Sequence, residues 1–183
     1  MNGADLLSGG QPVTLEEMLL AREKRAARQR HAVACYRVSL ISLTLVAPGQ
    51  VKNSLVWQRV AGYAREAVLT CCQQHEWVSV WEKSVDERSG PEWMAAVCAP
   101  AKNLKQAMLQ LEDEHPLGRL WDIDVLDSEG TGISRRALGL PPRQCLICQD
   151  DAHLCARARR HTPELLLEEI TKRIVSYERR HHD

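Results

Sequence analysis

Within one short segment, residues 118–126, the stretch 121–125 alternates strictly between apolar and acidic side chains. The segment reads Gly-Arg-Leu-Trp-Asp-Ile-Asp-Val-Leu, with Asp122 and Asp124 set between apolar residues. Successive side chains of a strand point to opposite faces of a sheet, so this pattern predicts a strand with one buried face. The two aspartates then share the other face, roughly 6.6 Å apart along the strand. Their carboxylates can bind one hard cation such as Mg²⁺, although an acidic solvent-exposed face has the same pattern.

The length and composition indicate one globular domain. Charged residues make up 26% of the 183 residues and hydrophobic ones 44%, and the formal net charge is zero. No overall field therefore favours a nucleic acid or a membrane surface, and we expect neither as a partner. No secretory signal is visible in residues 1–13, and no apolar run is long enough to span a bilayer. The odd number of cysteines, seven, fits free thiols in a reducing cytoplasm.

The order of helical and extended patterns predicts an α+β fold, with a single domain built on a mixed β-sheet flanked by helices. The predicted helices cover residues 14–34, about 53–75, 102–114 and 163–180. The predicted strands cover residues 37–47, 77–81, 93–99 and 118–126, and residues 133–138 are expected to return as a hairpin partner. This divides the chain into a flexible N-terminus (1–13), an α+β core (14–140), and a Cys-rich segment with a closing helix packed on the core (141–183).

The Cys-rich segment carries a candidate zinc site. Cys145 and Cys148 form a Cys-x-x-Cys pair, and Cys155 and His161 follow, which gives the four ligands that Zn²⁺ binds tetrahedrally. Four protein ligands leave no open position for a substrate, so the predicted zinc is structural. His153 is an alternative fourth ligand, and three ordinary thiols are the alternative to any metal.

Basic residues flank the acidic strand and are candidate phosphate ligands. Arg119 precedes the two aspartates, and Arg135, Arg136 and Arg143 follow them. Arginine suits the bidentate geometry of phosphate, although each of these residues taken alone is also typical of a solvated surface. Lys52 lies between Pro48-Gly49 and a predicted helix start, where backbone N–H groups can also bind a phosphate, although the same residues equally fit a simple strand-to-helix turn.

The first predicted helix opens with a capping-box pattern, Thr14 and Glu17, and becomes basic in its second half, between residues 22 and 30. A solvated charged face is one interpretation of this stretch, and a docking surface for an acidic protein is the other.

Several of these stretches together resemble the apo-citrate lyase phosphoribosyl-dephospho-CoA transferases, or holo-citrate-lyase synthases. The matching segments are V-A-P-G-Q-V-K-N-S (46–54), A-P-A-K-N-L-K (99–105), H-P-L-G-R-L-W-D-I-D-V-L (115–126), S-R-R (134–136), L-P-P-R-Q-C-L-I-C (140–148) and C-A-R (155–157). The likeness spans roughly residues 12–165, and the block at 115–126 followed by Pro-Pro-Arg-x-Cys is its most specific part.

The resemblance implies transfer of a phosphoribosyl-dephospho-CoA group from 2′-(5″-triphosphoribosyl)-3′-dephospho-CoA to a serine of the citrate lyase acyl carrier (gamma) subunit. Diphosphate leaves, so the reaction is a nucleotidyl transfer, and a nucleotidyltransferase-like fold is expected with it. Carried onto this sequence, Asp122 and Asp124 would hold Mg²⁺, and Arg119 would act with them in catalysis. The other candidate cations, Lys52 among them, would bind the substrate. The alternative function is a non-enzymatic zinc-stapled interaction module or carrier-protein adaptor.

Overall fold

The computed structural model describes residues 9–181 as a four-stranded sheet with helices on both faces. In chain order the elements are α1 (Leu15–Tyr36), β1 (Ser39–Leu45), α2 (Leu55–Gln74), β2 (Val78–Glu87), β3 (Gly90–Cys98), α3 (Ala101–Glu114), β4 (Trp121–Leu126), α4 (Ala152–Arg157) and α5 (Pro163–His181). The strand order is β2-β3-β1-β4, and every neighbouring pair is antiparallel. The predicted α+β class is confirmed.

The two faces of the sheet are covered differently. The larger core lies on the face that carries Ile41, Trp93 and Ile123, and helices α2, α3 and α5 pack against it. A smaller core on the other face joins the C-terminal half of α1 to Leu40 and Met94. Hydrophobic packing therefore covers one face fully, whereas α1 covers only part of the other face.

The start of β4 depends on a tight turn after α3. A Cβ atom on Gly118 would lie 2.2 Å from the carbonyl oxygen of Leu111. Only glycine allows this close backbone approach, which brings β4 alongside the helix that precedes it.

Strand β4 is an edge strand, but side chains satisfy the outward backbone groups of Ile123 at its centre. Lys105 Nζ donates to the carbonyl oxygen of Ile123 at 2.6 Å, and the N–H of Ile123 donates to Glu112 Oε1 at 2.8 Å. Lys105 and Glu112 are both buried. Helix α3 thus fixes β4 through polar contacts as well as apolar packing.

Three sequence-based expectations about the sheet were wrong or incomplete. The sheet is antiparallel and not mixed, since β1 runs antiparallel to both β3 and β4, and β2 runs antiparallel to β3. Residues 133–138 form no strand: after one isolated bridge at Gly132 the chain enters a single 3₁₀ turn, Arg136–Leu138. The short strand expected at 77–81 continues to Glu87 and pairs with β3 along its length.

The predicted start of α1 is confirmed, since Thr14 and Glu17 form the reciprocal hydrogen bonds of a capping box. The expectation of a flexible N-terminus falls partly outside the described residues, which begin at residue 9. Within them, the N–H of Val13 donates to the carbonyl oxygen of Gln50 at 3.0 Å. Between residues 9 and 181, no helix combines the length and the apolar character needed to cross a bilayer.

Candidate functional site

The two aspartates of β4 lie on the sheet face that α1 covers in part. Trp121, Ile123 and Val125 are buried, whereas Asp122 and Asp124 are exposed. In β1 their partners are Thr44 and Ser42, respectively, so four oxygen-bearing side chains share this face. The alternation predicted from the sequence is confirmed, and the arrangement can present both carboxylates to one cation.

The two carboxylates differ in their electrostatic surroundings. Asp124 reaches solvent, but the atoms packed around its carboxyl desolvate it, which raises the pKa of Asp124. The charge of Asp122 raises this pKa further, while Lys105 acts in the opposite direction. Each negative charge destabilises the other, so a cation bound between them would be favoured.

Two of the predicted arginines lie at the start of β4. Arg143 Nη2 donates to the carbonyl oxygens of Arg119 and Trp121, at 2.7 Å each, and its Nη1 lies 3.6 Å from Asp122 Oδ1. Arg119 Nη2 donates to the carbonyl oxygen of Cys145 at 3.0 Å. Burial lowers the pKa of Arg119, and the charge of Arg143 adds to this effect. The structure therefore brings both arginines together with the diacid, and links them to the Cys-rich segment.

The other two arginines are placed differently. Arg135 forms ion pairs with Glu112 (2.8 Å) and Asp113 (3.0 Å). Burial alone would lower the pKa of Arg135, but its hydrogen bonds to Asp113 and Glu112 outweigh burial and raise this pKa. Arg136 lies exposed in the 3₁₀ turn, and no hydrogen bond or ion pair joins its side chain to another of residues 9–181.

Lys52 lies at the same end of the sheet as Asp122. Its Nζ donates to the carbonyl oxygen of Ala47 at 2.5 Å, and Ala47 is only three residues beyond Thr44, the partner of Asp122. Burial lowers the pKa of Lys52, and the nearby charge of Arg22 lowers it further. The lysine is thus a partly buried cation close to the end of β1 at which Thr44 pairs with Asp122.

Sequence reasoning missed the contribution of α1 to this face. Arg25 and Arg28 contact the buried carboxylate of Glu92 on β3, at 2.9 and 2.5 Å. Gln29 Nε2 donates to Ser42 Oγ at 2.9 Å, and the charge of Arg25 lowers the pKa of Asp124. Part of the basic stretch therefore faces the sheet. It is neither a solvated charged face nor a docking surface for an acidic protein, the two interpretations drawn from the sequence. The available signals were a lone acid in the apolar strand β3 and the i,i+3 spacing of the arginines.

The Cys-rich segment forms the ligand set predicted for it. One ligand atom from each of Cys145, Cys148, Cys155 and His161 lies within 4.8 Å of the others. The Sγ atoms of Cys148 and Cys155 are 3.4 Å apart, and His161 Nε2 is 3.3 Å from Cys148 Sγ. The alternative ligand His153 is exposed and is not in this group. Three thiols and an imidazole fit a tetrahedral ion, so this cluster could hold a metal such as zinc.

Of the clefts on the described surface, two of the largest lie in different places. One, of about 720 Å³, lies between the Cys-rich segment, α5 and the loop after β1, and its lining includes Val46, Cys145 and His161. The other, of about 610 Å³, lies between α2, α3 and α5, and its lining contains none of the predicted site residues. The first cleft adjoins the arginines at the start of β4, because Cys145 forms part of its wall.

Comparisons with known proteins cover most of the chain. Residues 13–177 match the sequence model of a family described as apo-citrate lyase phosphoribosyl-dephospho-CoA transferase. A relative of that name from Escherichia coli O7:K1 (strain IAI39 / ExPEC) is 42% identical over 155 residues, which is 85% of this chain and 85% of the relative. A relative with the same name from Shigella boydii serotype 18 (strain CDC 3083-94 / BS512) has the same identity and coverage.

Proposed function

The chain belongs to the apo-citrate lyase phosphoribosyl-dephospho-CoA transferase family, and from this membership we propose that it attaches a phosphoribosyl-dephospho-CoA group to the acyl carrier (gamma) subunit of citrate lyase. The proposed donor is 2′-(5″-triphosphoribosyl)-3′-dephospho-CoA, and the acceptor is a serine hydroxyl of the carrier. The serine oxygen bonds to the phosphorus nearest the ribose, and the bond from that phosphorus to the departing diphosphate breaks. A phosphodiester remains, so the chemistry is of the nucleotidyltransferase type, and a nucleotidyltransferase-like fold belongs to this proposal.

The observation that supports the proposal most is the aspartate pair on a polar sheet face beside a cation. Asp122 and Asp124 are proposed to hold Mg²⁺, with Arg143 Nη1 3.6 Å from Asp122 Oδ1. When bound, Mg²⁺ would supply positive charge against the triphosphate and the departing diphosphate. The serine proton passes to one of the two aspartates or to a water molecule.

The predicted cations are proposed to bind the phosphates from different positions. Arg119, Arg143 and Lys52 lie at the end of the sheet where Asp122 lies, and each carries charge that is only partly neutralised there. Arg136 is exposed and free to reach a ligand, whereas Arg135 already contacts two carboxylates and would mainly position the others.

The test is attachment of the group to the apo carrier subunit, followed by mass spectrometry. Wild type with the donor and Mg²⁺ should raise the carrier mass by the mass of the prosthetic group. Asp122→Asn and Asp124→Asn should each lower the rate of attachment more than about 100-fold. Loss of a residue that only hydrogen-bonds to a metal ligand already costs up to about 100-fold, so loss of a ligand should cost more. Asp127→Asn is the matched control, because Asp127 Oδ1 only accepts turn hydrogen bonds that asparagine can also accept. Unchanged rates in both variants would contradict the metal role, and carrier binding without any mass change would favour an adaptor.

The Cys-rich cluster is proposed to bind one structural Zn²⁺. Its four protein ligands would close the coordination sphere, and the ion would hold the segment between β4 and α5. Elemental analysis of purified protein should give about one zinc per chain, following from a single closed four-ligand site. Cys145→Ser should lose this zinc, whereas Cys98→Ser should keep it, because Cys98 is exposed and outside the cluster. Equal zinc contents in the two variants would contradict the assignment.

A further inference from the structure

The cleft beside the Cys-rich cluster has the properties of a ligand site. Its volume of about 720 Å³ lies within the range of sites for small molecules and cofactors. Much of its wall is apolar, from Val46, Leu146, Leu166 and Ile170. Its charged lining consists of one cation, Arg159, and one acid, Glu164, besides the ring of His161. A ligand segment that is mainly apolar, with few polar groups, suits this wall.

Short covalent and hydrogen-bonded links connect the cleft to the diacid. Val46 lines it, and Val46 is two residues beyond Thr44, the β1 partner of Asp122, which is roughly 7 Å along an extended chain. The N–H of Val46 donates to the carbonyl oxygen of Leu120 at 2.8 Å, so the cleft edge is tied to the residue just before β4.

The arginines lie between the cleft and the diacid. Cys145 lines the cleft and accepts a hydrogen bond from Arg119 through its carbonyl oxygen, and Arg143 contacts both Arg119 and Asp122. Around the start of β4, the cleft on the α5 side of the sheet is therefore joined through these arginines to the carboxylates on the opposite face. One ligand that combines an apolar arm with phosphates could contact all three in this order.

We propose that this cleft binds the pantetheine arm of the dephospho-CoA moiety, an inference that rests on the proposed function. The arm is a chain of methylene groups and two amides with a gem-dimethyl group, and it is attached through a diphosphate. With the arm in the cleft, its diphosphate lies beside Arg119 and Arg159, and the ribose end extends toward the aspartates. The metal-binding cluster then has a second role, since Cys145, Cys155 and His161 form one wall of the cleft.

Binding of dephospho-CoA and of ADP tests the arm, because ADP is dephospho-CoA without pantetheine and its additional negative charge would favour ADP, not dephospho-CoA, beside the arginines. Isothermal titration of the zinc-loaded full chain should show dephospho-CoA binding about tenfold or more tightly than ADP, the effect of burying roughly two methylene groups. Ala156→Trp should remove this difference, because Ala156 lines the cleft and the indole would fill it. Leu154→Trp is the matched control on the same short helix, since Leu154 is 59% exposed and lies outside the lining. Equal affinities in wild type, or a preference that survives in Ala156→Trp, would overturn the inference.

A second measurement uses the unmodified protein and does not depend on how the variants fold. Saturation-transfer NMR should give strong transfer from the protein to the gem-dimethyl protons of bound dephospho-CoA. Strong transfer to the adenine protons with none to the gem-dimethyl protons would mean that the arm remains in solvent, and would overturn the inference.

Inorganic triphosphate with Mg²⁺ serves as the separate probe of the diacid. Its binding should be lost in Asp122→Asn and retained within about twofold in Ala156→Trp, because the two sites do not share these residues. Absence of triphosphate binding in wild type would contradict the proposed function. The comparison of dephospho-CoA with ADP would still show whether the cleft binds the pantetheine arm. If the carrier subunit occupies the cleft instead, Ala156→Trp will weaken carrier binding and leave the preference for dephospho-CoA, which overturns the inference.

Discussion

Replacing Glu112 by alanine should strongly destabilise the protein, because this buried carboxylate satisfies two groups at once. It accepts from the N–H of Ile123 at 2.8 Å and from Arg135 Nη2 at 2.8 Å. A buried N–H left without a partner costs about 1–3 kcal/mol, and a hydrogen bond to a charged group contributes about 1.5–3 kcal/mol. Arg135 keeps Asp113 as a partner, so we expect a loss of about 3–5 kcal/mol in the free energy of unfolding.

Two further variants separate the contributions. Glu112→Gln keeps an oxygen that can accept from the Ile123 N–H. It should therefore lose only the charged hydrogen bond with Arg135, about 1.5–3 kcal/mol. Glu114→Ala is the control on the same helix, because Glu114 is exposed, and it should stay within about 0.5 kcal/mol of wild type.

Urea unfolding followed by tryptophan fluorescence measures these differences, since Trp57 and Trp121 are fully buried. The reasoning would be refuted if Glu112→Ala fell within about 1 kcal/mol of Glu114→Ala, or if Glu112→Gln were as destabilising as Glu112→Ala.

Three other predictions concern a turn and two titrating groups. Gly118→Ala should destabilise the fold by more than about 2 kcal/mol, because the new Cβ clashes with the backbone. Gly62→Ala should stabilise α2 by about 0.5–1 kcal/mol, because nothing lies within 4 Å of the new Cβ. Shifts of the urea midpoint in the same direction for both variants would contradict this. Burial lowers the pKa of His115 from its usual 6.5 to about 4. As the pH falls from 6.5 to about 4, the histidine is protonated in the unfolded chain but not in the folded one, so the protein should lose stability over this range. His115→Gln should make this loss of stability smaller by about 1–2 kcal/mol, a figure reduced for solvent screening of the half-buried ring. A dependence of the free energy of unfolding on pH identical to that of wild type would refute the prediction. The raised pKa of Asp124 predicts that, as the pH falls, the proposed Mg²⁺ binding weakens at a higher pH than it would with an ordinary aspartate. Asp122→Asn should lower the Asp124 midpoint in a carboxyl ¹³C titration, and an unmoved midpoint would count against the coupling.

The sequence was informative where a local pattern determines the structure. The alternation around Asp122 and Asp124 predicted both the strand and its faces, and the spacing of cysteines and histidine predicted the cluster, because both are short-range patterns. Strand direction is not encoded by periodicity, which is why the antiparallel sheet was missed.

The contacts of α1 with the sheet could not be predicted from local patterns. Arg25 and Glu92 are 67 residues apart in the chain, and only the fold brings them together. The extension of β2 was missed for a different reason: it is an edge strand with most of its residues open to water, so its sequence lacks a sustained apolar alternation.

The polar contacts that fix β4 restrict how a protein partner can approach. Lys105, Glu112 and Arg143 occupy the outward backbone groups of Trp121 and Ile123, and the N–H of Ile133 donates to the carbonyl oxygen of Val125, so these groups are closed to an incoming strand. The opposite margin is β2, separated from the aspartates by two strands and bearing charged side chains such as Lys83 and Asp86. If the aspartates act as proposed, the acceptor serine reaches them across the open face, carried by a loop or a helix end rather than by strand addition.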